Sequence, residues 1–118
     1  MFQQLFGFGK AAPSGVTQIT VADLKGKLAA KEALQLIDVR SAEEFEQDGK
    51  IEGARLIPLP ALSSRMSDIS KETPVAVICR SGSRSHVAAE MLARAGYTNV
   101  FNVQGGMIAW RRAGYPAR

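Results

Sequence analysis

The single cysteine of this chain, Cys79, stands where an apolar β-type run, Val75-Ala76-Val77-Ile78, gives way to Arg80-Ser81-Gly82-Ser83-Arg84-Ser85. A sulfur at a strand-to-helix junction is placed for nucleophilic chemistry. Successive backbone N–H groups of such a loop turn inward and form an anion-binding nest, and the helix that follows adds the positive end of its dipole. Arg80 and Arg84 add two permanent positive charges close in sequence. A free thiol titrates near ~8.5, but at a helix N-terminus or beside arginine the value falls to roughly 3.5–7.5, so ready ionisation near neutral pH is expected. The competing reading is a cysteine acting as a small buried hydrophobe at the end of a strand. The run Arg80 to Ser85 disfavours it, because a core position is seldom followed by so polar a segment.

The elements that must hold this junction alternate along the chain. Val16-Thr17-Gln18-Ile19 reads as a short strand, and Thr20 with Asp23 three residues on reads as a capped helix start. Leu24 and Leu28 then share a helical face. Leu34 to Val39 is the second strand, and Ser41 with Glu44 forms a capping box ahead of a short helix carrying Phe45. Arg55-Leu56-Ile57-Pro58 is a brief third strand, confined by its proline to an edge or an end. Pro60 suits the first turn of a helix whose buried face is expected to be Leu62, Met66 and Ile69.

The unbroken apolar run Val75 to Cys79 is expected of a central strand covered on both faces. A helix from Arg84 should bury Val87, Met91, Leu92 and Ala95, with Gly96 as its stop. Asn99 to Val103 is the last strand, and Gly105-Gly106 turns into a final helix containing Trp110. Strands alternating with helices at this spacing imply an α/β fold, a parallel sheet with helices on both faces. Ligands of such sheets bind beyond the carboxyl ends of the strands. Cys79, Asp38 and Arg40 all fall at or just past such ends.

Length and composition fit this plan. A chain of 118 residues, 46% hydrophobic and 22% charged, suits one globular domain, assigned to residues 16–118 with an N-terminal tail and linker over residues 1–15. The apolar patches of Met1 to Lys10 are interrupted by glutamines and glycines, so neither a signal peptide nor a membrane span is expected there. One cysteine cannot form an internal disulfide, and a reduced, cytoplasmic setting is the default. The formal charge of +4 favours small anions but forms no basic stripe interleaved with aromatics, so nucleic acid is not an expected partner. With no Cys/His/Asp cluster in the sequence, no metal and no other cofactor is expected.

Four segments in order carry a family resemblance. Ile37-Asp38-Val39-Arg40 with Glu43-Glu44-Phe45, then Ile51-Glu52-Gly53-Ala54-Arg55-Leu56-Ile57-Pro58, Cys79 to Ser85, and Gly105-Gly106-Met107-Ile108-Ala109-Trp110 resemble a single-domain rhodanese over about Val16 to Pro116. The resemblance implies a three-layer α/β/α domain with a five-stranded, mainly parallel sheet. It also implies a sulfurtransferase whose cysteine takes sulfane sulfur from a donor as a persulfide and passes it to a nucleophile.

Carried over residue by residue, Cys79 matches the persulfide-forming cysteine. Arg80, Ser81, Gly82, Ser83 and Arg84 match the loop around the outer sulfur, with Ser85 opening the helix behind it. Asp38 and Arg40 match an aspartate-x-arginine read as support for the loop or as a strand-end ion pair, and Gly105, Gly106 and Trp110 match turn and core positions. The implied donor is a small sulfur anion, thiosulfate or a persulfide, and the implied acceptor is cyanide or a thiol, a redox protein included. One departure is Lys50 in Gly49-Lys50-Ile51, where many relatives carry histidine. The only histidine, His86, lies just beyond the loop and reads as a solvated or capping residue in preference to a base for Cys79.

Two rival functions are compatible with these residues. Cysteine phosphatases and arsenate reductases related to rhodaneses use a longer spacing from cysteine to arginine, whereas only Arg80, Ser81, Gly82 and Ser83 separate Cys79 from Arg84. That shorter cradle suits sulfur better than a phosphoryl group. The other rival is a sulfur carrier or partner-binding module acting in a relay, with the same intact loop.

Overall fold

The computed structural model describes residues 15–118, so the tail expected over residues 1–15 lies outside the described residues except for Gly15. Five strands form one sheet: β1 (Val16–Ile19), β2 (Gln35–Asp38), β3 (Arg55–Leu56), β4 (Val75–Ile78) and β5 (Val100–Val103). Their order is β1-β5-β4-β2-β3, every pairing is parallel, and β4 is central. The helices are α1 (Val21–Ala29), α2 (Ala42–Gln47), α3 (Leu62–Arg65), α4 (Ser83–Arg94) and α5 (Gly106–Arg112), with 3₁₀ turns at Leu59–Ala61 and Met66–Asp68.

Local chemistry sets these boundaries. Ser41 and Glu44 exchange reciprocal hydrogen bonds at the start of α2, the capping box the sequence indicates, and the capped start expected at Thr20 and Asp23 is a capping box as well. The two-residue β3 lies at the sheet edge, and Pro58 stands just beyond its end.

The period of the strands divides the core in two. Along β4 and just past it, Val75, Val77 and Cys79 join the cluster containing Ile37, Leu62, Ala88 and Leu92. Ala76 and Ile78 join the opposite cluster with Leu24, Val103, Met107 and Trp110. Helices α3 and α4 therefore cover one face, α1 and α5 the other. Cys79 belongs to the α4 side, which brings its sulfur under the helix that its own loop begins.

Two packing expectations need correction. Val87 does not join the core but is 47% exposed, while the inward stripe of α4 is Ser85, Ala88, Ala89 and Leu92. Small residues on that stripe let the helix lie close to β4 and β5, and this close approach sets its rotation. The single helix expected after Pro60 is instead broken into a 3₁₀ turn, one turn of α-helix and a second 3₁₀ turn. Leu62 and Ile69 are buried as expected, but Met66 is only partly so. The Tyr97 hydroxyl lies 2.8 Å from the Met66 carbonyl oxygen and 2.6 Å from that of Ile69, which helps satisfy the carbonyls of the broken segment.

Candidate active site

Beyond Ile78 the chain turns back so that Gly82 becomes the N-cap of α4, with φ +106°. Gly82 has no side chain to cap the helix. Cys79 Sγ takes that place, accepting the Gly82 N–H at 3.1 Å and the Ser85 N–H at 3.3 Å. The sulfur thus lies at the positive end of a twelve-residue helix. Burial pushes the Cys79 thiol up, but hydrogen bonding with Ser85 and with the amides of Gly82 and Ser81 outweighs it, and the net direction is down. The side chain is 0% exposed, recessed beneath the loop.

A second helix end fixes the loop from the other side. The Met107 N–H donates to the Cys79 carbonyl at 2.9 Å and the Ile108 N–H to the Arg80 carbonyl at 3.1 Å. Loop carbonyls are thereby committed to the first turn of α5, leaving loop N–H groups for the interior. Gly106, with φ +54°, permits the contact, since a Cβ there would stand only 2.6 Å from the Arg80 carbonyl oxygen.

The charged residues fall into two closed pairs. Arg84 makes a bidentate bridge to Glu44, with N···O distances of 2.8 and 2.9 Å. The hydrogen bond from Arg84 holds the Glu44 carboxyl down at about 2, so it is ionised at neutral pH and offsets the Arg84 charge. Lowering of the Cys79 thiol therefore rests on the loop amides and the helix end rather than on a free guanidinium. Arg80 is exposed at the rim.

Asp38 and Arg40 form the other pair, at 0% and 1% side-chain exposure with a closest approach of 2.8 Å. Arg40 also donates to the Gly49 carbonyl at 2.8 Å, tying the end of β2 to the segment after α2. Lys50, the departure from the family pattern, reaches Glu46 at 3.7 Å and lies over the Phe45 ring, away from the sulfur. His86 likewise bonds to Gln18 and Glu90 and not to Cys79. Trp110 is core, its indole N–H donating to the Pro116 carbonyl.

The structure thus gathers Cys79 and the loop through Ser85 in one place, with Asp38 and Arg40 as a buried brace beside them. Sequence reasoning missed Glu44 as a site residue because its capping box already accounted for it; yet the same Oε1 accepts both the Ser41 N–H and an Arg84 N–H. It also missed Asn102, buried on β5 and hydrogen-bonded at 2.6 Å to the Ser85 hydroxyl.

This combination, a parallel α/β/α domain presenting one recessed thiol in an amide-lined loop, defines the class to which the chain is assigned. The Rhodanese-like domain model matches residues 20–113, and the chain belongs to that sulfurtransferase family. It is 41% identical over 101 residues to an Allochromatium vinosum protein named sulfurtransferase, covering 86% of this chain and 94% of that one. It is 34% identical over 97 residues to YrkF of Bacillus subtilis, described as a candidate sulfur carrier, covering 82% of this chain and 52% of YrkF. Among solved structures, a rhodanese-related protein from Thermoplasma volcanium is similar at a TM-score of 0.77 and 33% identity, over 86% of this chain and 96% of that one. No helix among the described residues is long and apolar enough to cross a membrane.

Proposed function

We propose that the protein moves sulfane sulfur through a persulfide on Cys79. The observation that carries this reading is the position of Sγ as the acceptor for the start of α4, where two amides favour the thiolate. The Cys79 thiolate attacks the outer sulfur of thiosulfate, the S–S bond of the donor breaks, and sulfite leaves with the bonding pair. Negative charge then resides on the outer sulfur of the Cys79 persulfide, inside the loop from Arg80 to Arg84. Cyanide or a thiolate attacks that outer sulfur, the new S–S bond breaks, and the Cys79 thiolate departs with its electrons. No electron donor enters the cycle.

The remaining site residues act by holding this loop. Glu44 fixes Arg84 at the rim, and Asp38 with Arg40 braces the end of β2 beside it. An apolar cavity of about 350 Å³, lined by Val39, Ala42, Pro58, Leu59 and Pro60, shares Arg84 with the loop and is the place assigned to the acceptor. The thiol must stay reduced between turnovers, which suits a cytoplasmic setting and a redox protein or small thiol as acceptor.

A second reading, a carrier that holds sulfur for a partner, is favoured by the recessed sulfur and by the likeness to YrkF. Kinetics separate the readings. With thiosulfate and cyanide, thiocyanate formation should exceed that of Cys79→Ser by about 10³-fold or more. Hydrolysis of p-nitrophenyl phosphate should match the Cys79→Ser background. Cys79-dependent phosphate release without thiocyanate would replace this function with a phosphatase, and sulfur loading without discharge to any small acceptor would favour the carrier.

A further inference from the structure

The hydroxyl of Ser85 has one hydrogen and two acceptors within reach. Cys79 Sγ lies 3.3 Å from Oγ, and Asn102 Oδ1 lies 2.6 Å from it. An Asn102 amide turned the other way would offer a donor instead, but its orientation is pinned. Nδ2 donates to Gln18 Oε1 at 2.9 Å and to the Gly82 carbonyl at 3.3 Å, so flipping the amide would set Oδ1 against two oxygens. Gln18 is held in turn, its Nε2 at 3.0 Å from His86 Nδ1, while His86 Nε2 meets the Glu90 carboxylate at 3.2 Å. With the neutral His86 ring carrying its hydrogen on Nε2, facing the Glu90 carboxylate, every bond in this chain runs outward from the sulfur: Ser85 donates to Asn102, Asn102 to Gln18, Gln18 to His86, and His86 to Glu90.

We propose that Asn102 is a positioning residue for Cys79: by drawing the Ser85 hydroxyl hydrogen to Oδ1, it turns an oxygen lone pair toward Sγ and favours the neutral forms of that sulfur over the thiolate. Ser85 and Asn102 are both buried, so no bulk water competes for the hydrogen. A neutral thiol can donate its S–H to the Ser85 oxygen, and the inner sulfur of a persulfide carries no charge that needs the O–H. A thiolate does need it. The consequence for sulfur transfer rests on the function proposed above: Asn102 makes the Cys79 thiolate a poorer leaving group, so loaded sulfur persists until an acceptor arrives. The effect on the thiol itself does not rest on that function.

The test is therefore made on the thiol, and Cys79 is the only one in the chain. Alkylation by iodoacetamide, followed by intact mass across pH, reads thiolate formation without any sulfur donor. Asn102→Leu removes Oδ1 and leaves Sγ as the remaining side-chain partner of the Ser85 hydrogen. Its rate on the acidic limb of the profile should rise roughly three- to tenfold, with an alkaline plateau no higher than wild type. In a Ser85→Ala background the same substitution should change the acidic limb by less than about twofold, because the effect passes through the hydroxyl.

An unchanged acidic limb, an equal rise in both backgrounds, or a rise that extends to the plateau overturns the proposal; the last would mean only that the loop has opened. Should Asn102→Leu fail to fold, Gln18→Leu carries the same comparison by removing an acceptor that pins the amide. A protein that shows the Ser85-dependent rise but takes no sulfur from thiosulfate supports this inference while refuting the proposed function.

Discussion

Gly106→Ala is expected to lose about 100-fold in sulfur loading and roughly 2–5 kcal/mol of stability. Two costs add at this position. The residue sits at φ +54°, where an L side chain is strained by ~1–2 kcal/mol, and its new methyl group would stand against the Cys79 and Arg80 carbonyl oxygens. Those carbonyls accept the Met107 and Ile108 N–H groups, so any shift that relieves the overlap moves the loop carrying the sulfur. Gly114→Ala separates backbone strain from overlap. Gly114 has φ +79° and open space where a Cβ would stand, so only the strain of about 1–2 kcal/mol should appear and sulfur loading should be retained. Urea unfolding of both variants beside loading rates checks this, and equal losses in the two would contradict the role given to the contact.

Asp38→Ala should cost about 3–5 kcal/mol, because it leaves a buried guanidinium without its counterion. The Asp38 carboxylate accepts the backbone N–H of Arg40 and three side-chain contacts at 2.8 to 3.1 Å, and Arg40 is 1% exposed. The loss measures an uncompensated charge and not the net worth of the pair. Replacing both partners, Asp38→Leu with Arg40→Met, should therefore destabilise much less than Asp38→Ala alone. Denaturant midpoints of the single and double variants test this. A single-variant cost below about 1 kcal/mol would show that water reaches Arg40 and that the brace is not closed.

The parts of the fold that follow local rules were readable in the sequence. Capped helix starts at Thr20 and Ser41, the doubly covered β4 and the edge placement of β3 each depend on neighbouring residues or on period alone. Cys79 was readable for the same reason, as the end of an apolar run before a glycine-containing polar loop. What could not be read depends on partners from distant elements. Val87 fits a helical stripe, yet the rotation of α4 is set by Ser85 beneath the sulfur and by the small residues that bring the helix near the sheet.

Glu44 and Arg84 lie forty residues apart, and nothing near either one indicates that they meet. Asn102 draws its partners Gln18, Gly82 and Ser85 from β1, the loop and α4. Gly105-Gly106 looked like a turn, which is only half of its role; the other half is the approach of α5 to the cysteine loop.

The central claim is that Cys79 carries the sulfur. Intact mass after incubation with thiosulfate should show a single addition of about 32 Da, removed by cyanide and absent from Cys79→Ser. A protein whose mass is unchanged by thiosulfate and by persulfide donors, or whose added sulfur survives Cys79→Ser, would contradict it.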